Sequence, residues 1–282
     1  MKYKNGVLLL IFIVISHIAV ATESPNLTYI SATFWHDVLA QEISVNKSMF
    51  KLYPGTVATG TTSVWLWNMF NAVVSTNDAI YYNPVQLNSF YSDYGLLLYK
   101  TKTSAFVDKV CPLNDAVLKY SSTENKYAWD KTIENLNTAL LNSQQEKIER
   151  DTTVIISGDT TLVRVEAVFD NFVVFYSYPY AIKDTVNPIL KNYNPWFTNC
   201  IFKKMYLNVD QKMLSQVDWD TAFGKNGYLQ QVCVALVVAK NGYYTTSTNL
   251  NGIISTDSTK FTSPILLGVV IYPTNNFVSS LP

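Results

Sequence analysis

A chain of 282 residues with 21 basic and 21 acidic side chains carries no net charge, which removes the electrostatic basis of nucleic-acid binding that basic patches supply. Hydrophobic residues make up 48% and charged residues 15%, the proportions of a folded protein and not of a disordered one. Aromatics reach 14%, led by 19 tyrosines, and side chains of this kind serve either a core or an amphipathic binding surface.

The chain opens on Lys2 and Lys4, an apolar run from Val7 to Ile15, and then Ala19 and Ala21 flanking Val20. That order predicts a secretory signal peptide over residues 1–21, cleaved before Thr22. The run falls well short of the roughly 20 apolar residues that span a bilayer. The expected product is a single globular unit over residues 22–282, secreted to the extracellular space or the periplasm, with no transmembrane segment in the mature chain. Asn26 and Asn46 head glycosylation sequons, which matter only in a eukaryotic host.

Residues 30–150 read as helix-rich. Short helices are expected at 31–41 and 112–120, and residues 63–74, apolar on nearly every side, read as a buried helix. Residues 83–95 carry full helix punctuation: Asn83 to cap, Pro84 at the first position, apolar side chains at helical spacing, and Gly95 to close. Residues 130–149 place Ile133, Leu136, Leu140, Leu141 and Ile148 on one stripe and set Glu146 to pair with Arg150.

Past Asp151, in residues 151–282, the period changes to two and β-branched residues dominate. Residues 153–157 and 161–168 read as a hairpin around Gly158 and Asp159, with Arg164 and Glu166 facing away from Val163, Val165 and Ala167. Residues 200–209 alternate again. Residues 232–239 form a wholly apolar strand, Asn241-Gly242 reads as a hairpin turn, and residues 243–248 return from it. A last buried strand runs over 265–272. Helices followed by strands predict an α+β fold, a helical N-terminal half packed on a mostly antiparallel β-sheet or sandwich from the C-terminal half.

Candidate chemistry is sparse. His36 is the sole imidazole left after export, which excludes zinc sites built on two or three histidines, and no metal or cofactor is expected. His36 beside Asp37 has the parts of a base and its orienting acid, yet adjacent helix residues point apart and no G-x-S-x-G motif is present, so a structural role beside Trp35 is expected. Asp218 and Asp220 around Trp219 would share a side in an extended segment, as two carboxylates of a hydrolase would. With Gly224 and Gly227 the same segment also resembles half a calcium loop without its closing glutamate, and a capped turn accounts for it more simply.

The stacking candidates are Trp196 in the loop 194–197, Trp129 beside Asp130, and Tyr178 and Tyr180 around Pro179. Of three cysteines, Cys111 and Cys200 stand at element ends and are the favoured disulfide, while Cys233 sits in an apolar strand as a buried thiol. Residues 243–263 are dense in Ser and Thr, as in hairpins of β-pore-forming toxins, although adjacent Ile253 and Ile254 break the alternation that a barrel needs. The pattern favours a secreted non-catalytic binding protein for a glycan or a cell-surface protein, ahead of a carboxylate hydrolase and of a pore-forming or membrane-damaging protein.

Overall fold

The period-two segments dominate the fold. A computed structural model describes residues 27–58, 62–70, 72–74, 78–86, 123–176, 218, 220–221, 227 and 230–273. Residues 1–21, the expected helix at 112–120, the expected strand at 200–209, and Cys111, Tyr178, Tyr180, Trp196 and Cys200 lie outside them.

Helix α1 spans Leu27–Glu42 with neither Pro nor Gly in its length, covering the helix expected at 31–41. It ends on Ser44 in the left-handed conformation (φ 57°), where Ser44 N–H donates to Gln41 O and Val45 N–H donates to Ala40 O, each at 3.0 Å. That pair of bonds satisfies two carbonyls the helix would otherwise leave open. A 3-10 turn, Lys47–Met49, leads into strand β1, Phe50–Ala58. Helix α2 is shorter than expected: it stops at Ser63–Phe70, and Ala72–Val74 continues as strand β2, paired with β3, Pro84–Gln86. Residues 84–86 are therefore strand and not the start of a helix, and Pro84 opens it, a place where its missing N–H is tolerated.

Helix α3, Thr123–Leu141, ends eight residues before the expected limit, and Glu146–Ile156 is strand β4. The stripe of Ile133, Leu136 and Leu140 continues to Ile148 only because a step of eight residues fits the helical period and the strand period alike. Ile148 is buried, but on a sheet.

Strand β5, Asp159–Tyr176, and strand β6, Gln231–Leu250, form the spine of a six-stranded antiparallel sheet. Along one edge of this spine, β4 pairs with the first half of β5. Along the other, β7 (Ile253–Phe261) and β8 (Ile265–Pro273) follow one another down β6, and β1 adds beyond β8. The β4–β5 turn is Ser157-Gly158, with φ of 53° and 91°, and the β6–β7 turn is Asn251-Gly252, with φ of 51° and 83°. Two consecutive positive φ values make the two-residue turn whose twist matches the strands it joins. Both turns stand at the same end of the sheet, tied by Asn251 Nδ2 donating to Asp159 Oδ2 at 3.0 Å.

Asn241-Gly242 is not a turn. β6 runs through it: Asn241 alone has positive φ (56°), Gly242 remains opposite Phe169, and Lys240 opposite Asn171. A Cβ on Gly242 would stand 2.1 Å from Val168 O, so glycine is required by the close approach of β5. The sheet curls over α1 at this point. Consecutive helix residues meet the sheet on either side of this kink, Trp35 stacked on Tyr244 and His36 tilted against Phe50. Phe50 is aligned through Val270 with Ala235, about 30 Å from Tyr244 along a flat strand.

The main core fills the other half of the sheet, where Leu66 and Phe70 of α2 and Leu136 and Leu140 of α3 meet Leu236 and Val238 of β6. Tyr82 lies in the same core and donates its hydroxyl to Met69 O at 2.9 Å, which meets the polar demand of a fully buried phenol. Each fully buried large side chain, Phe50, Phe70, Phe169 and Leu66 among them, adds about 1.5–3 kcal/mol over an exposed one.

Candidate functional site

Alternation along β5 separates two faces of the sheet. Val163, Val165, Ala167 and Phe169 are buried, whereas Leu162, Arg164, Glu166 and Val168 point to the other, outer face. The register then ranks the outer face in rows. Lys147, Val168, Tyr243 and Lys260 stand level on β4 through β7; Glu149, Glu166, Thr245 and Ser258 make the next row; Asp151, Arg164, Ser247 and Thr256 the third.

Arg164 is the electrostatic centre. Its Nε donates to Glu166 Oε1 at 2.7 Å, its Nη2 donates to Glu149 Oε1, and Asp151 Oδ1 is 3.7 Å away. The hydrogen bond to Glu166, followed by the charges of Asp151 and Glu149, pushes the guanidinium above its already high pKa. Three carboxylates about one guanidinium leave this patch net acidic, and the carboxylates keep lone pairs free to accept further donors. Beside it, a shallow depression of about 210 Å³ is lined by Lys147, Glu149, Glu166, Val168 and Tyr243.

His36 belongs to the frame. Its Nε2 donates to Phe50 O at 2.8 Å and its Nδ1 lies 3.1 Å from Asp37 Oδ1, with the ring buried. Both nitrogens are committed, so neither faces a reacting group. Burial raises the Asp37 carboxyl, but the hydrogen bonds from Lys47 and His36 outweigh it and hold the pKa below the usual carboxylate value. Glu42, at the end of α1, bonds Arg150 Nη2 at 3.3 Å, in place of the expected helical pair of Glu146 with Arg150. Glu146 is pushed above the ordinary glutamate value by burial and then by the neighbouring Glu42 carboxylate.

Asp218 forms the capped turn, accepting from Thr221 N–H at 3.1 Å through Oδ1, and Asp220 is exposed at the start of a helical turn. Among the described residues no group of three or more His, Cys, Asp or Glu is placed to hold a metal ion. No helix among them is long and apolar enough to cross a membrane. Cys233 is buried, and burial pushes its thiol far above the normal range. Of the stacking candidates, Trp129 lies on α3, where only its backbone is described, and Trp196, Tyr178 and Tyr180 are outside the described residues, as is the Cys111 and Cys200 pair.

Sequence reasoning anticipated that Arg164 and Glu166 face outward. It missed Lys147 and Glu149, hidden in an apparent helix, and Tyr243, hidden behind an apparent turn. The signal along Lys147 to Asp151 is weak, because Lys147, Glu149 and Asp151 carry charge on one side while Arg150 beside Ile148 carries it on the other. No protein-family model matches the chain, and comparison with curated proteins and with solved structures returns no match.

Proposed function

We propose that the chain is a secreted, non-catalytic binding protein whose outer sheet face takes a glycan in the depression beside Tyr243. The observation that carries this reading is the grouping of one aromatic ring, one ammonium and two carboxylates about a shallow, open surface. A sugar presents an apolar C–H face and a rim of hydroxyls. Tyr243 supplies the flat partner for the face, while Glu149 and Glu166 accept from hydroxyls and Lys147 donates to them. Arg164 bonds to both carboxylates, which fixes their orientation before a ligand arrives and so lowers the entropy cost of binding. The same bonds speak against the hydrolase alternative, whose two carboxyl groups must work as separate acid and base across a bond.

A glycan array with the mature protein, followed by titration calorimetry of the hits, tests the reading. Tyr243→Ala is expected to weaken binding about tenfold, with Glu166→Gln weaker than wild type and the fold intact by circular dichroism. An array without hits, or hits insensitive to both substitutions, refutes it. Release of new reducing ends from a bound glycan would make the carboxylates catalytic instead.

A further inference from the structure

The end of the sheet that carries both turns has two open edges among the described residues: β4 is hydrogen-bonded to β5 alone, and β7 to β6 alone. An edge strand exposes a row of unpaired N–H and C=O groups, and proteins blunt such rows with proline, bulges, short strands or charged side chains. Of these only charge is present, on Glu146 to Asp151 of β4 and on Asp257 and Lys260 of β7, and it leaves the ends of both strands at the two turns uncharged. β4 has 11 residues and β7 has 9, neither contains proline, and both hold an unbroken register with their neighbours. The large exposed isoleucines of this region lie on these two strands, Ile155 on β4 at 79% exposure and Ile253 and Ile254 on β7 at 75% and 68%.

The register shows what fits the edges. Arg150 is opposite Val165, Val165 opposite Thr246, and Thr246 opposite Asp257, so Arg150 and Asp257 stand level, on one face, at the two opposite edges. Val154, Thr161, Leu250 and Ile253 are level in the same way. All strands being antiparallel, β7 of one molecule set beside β4 of a second at the same level is antiparallel to it. This places Asp257 opposite Arg150 of the second molecule and Ile253 opposite its Val154, with Ile254 one diagonal from its Ile155. One pair is unfavourable, Lys260 opposite Lys147, and Glu149 on the next row lies diagonal to Lys260 and offsets it. The Glu42 bond of Arg150 does not block the contact, since a guanidinium has five N–H donors.

We propose that the occupant of these edges is a second copy of this chain, joined β7 to β4 and keyed by Asp257 and Arg150. Because the two edges differ, the contact is head to tail, and each added copy leaves one edge of each kind for the next, so the assembly is a ring or an open array.

Sedimentation of the mature protein over a concentration series is expected to show species larger than a dimer. Asp257→Arg replaces an attraction by a repulsion and is expected to weaken association about tenfold. Arg150→Cys and Asp257→Cys, made in separate chains and mixed under mild oxidation, are expected to yield a disulfide identified by peptide mapping. Within one chain these positions are three strand spacings, roughly 14 Å, apart, far beyond disulfide reach. Arg150→Cys mixed with Ile253→Cys serves as the off-level control and should remain unlinked. A strictly monomeric protein, association insensitive to Asp257→Arg, or equal linkage in the control overturns the proposal. So does a monomer that binds phosphatidylcholine vesicles and loses that binding in Ile253→Ser, which would assign the isoleucines to lipid.

Discussion

Replacing Gly242 by alanine separates a turn from a packed strand. In a two-residue hairpin turn the glycine has positive φ, and alanine there costs roughly 1–2 kcal/mol of left-handed strain. Gly252 is such a case, with φ of 83° and nothing within 4 Å of the place an added methyl would take. Gly242 differs in kind. Its φ is not in the left-handed region, and the methyl carbon would meet Val168 O at 2.1 Å and Phe169 Cα at 3.0 Å. Both are backbone atoms, so relief requires β5 and β6 to separate beside the kink at Asn241. Overpacking of this sort costs about 1–3 kcal/mol and sometimes more, and backbone obstruction puts Gly242→Ala at the upper end. Urea unfolding of Gly242→Ala and Gly252→Ala is the assay, with the fitted slope checked for constancy so that the midpoints report stability. Gly242→Ala is expected to lose about 3 kcal/mol, clearly more than Gly252→Ala. Equal losses would mean that β5 does not approach β6 closely at this point, and the curl of the sheet over α1 would fall with it.

Other substitutions bear on the frame and its charges. His36→Ala strands the buried Phe50 carbonyl and is expected to cost about 1–3 kcal/mol in urea unfolding, with glycan binding unchanged; loss of function at wild-type stability would make His36 a functional group. Glu146 has a folded pKa above its unfolded value, so its contribution is fully present below the unfolded pKa and is lost as pH rises through the folded one. Glu146→Gln should therefore melt above wild type at pH 7, with the gap closing toward pH 4, and a gap independent of pH refutes the Glu42–Glu146 repulsion. Cys233 should resist alkylation in the native protein and react only on unfolding, read by mass spectrometry, and a native disulfide through Cys233 contradicts its place in the core. Mass spectrometry of exported protein should find Thr22 at the amino terminus; material that begins at Met1 refutes the cleavage.

Local rules are enough where one signal stands alone. The strand at 265–272, the hairpin after Asp151, the helix at 31–41 and the outward turn of Arg164 and Glu166 are all legible, because a short unbroken apolar run in the first case, and alternation or helical spacing in the others, has no rival reading over those residues. The failures come where two readings cost the same locally. Ile148 satisfies both the stripe of α3 and the buried face of β4, and pairing with Val163 to Ala167 across the sheet decides for the strand. Asn241-Gly242 and Asn251-Gly252 carry equal turn chemistry, yet only the second pair turns, since β6 at Gly242 is paired on both sides by β5 and β7 and has no freedom to reverse. The grouping of Tyr243 with Lys147, Glu149 and Glu166 depends on that register, because residues nearly a hundred positions apart become neighbours only through cross-strand hydrogen bonds. Composition and periodicity determine which segments must bury a face; which segments share one is a long-range pairing, and only the tertiary structure decides it.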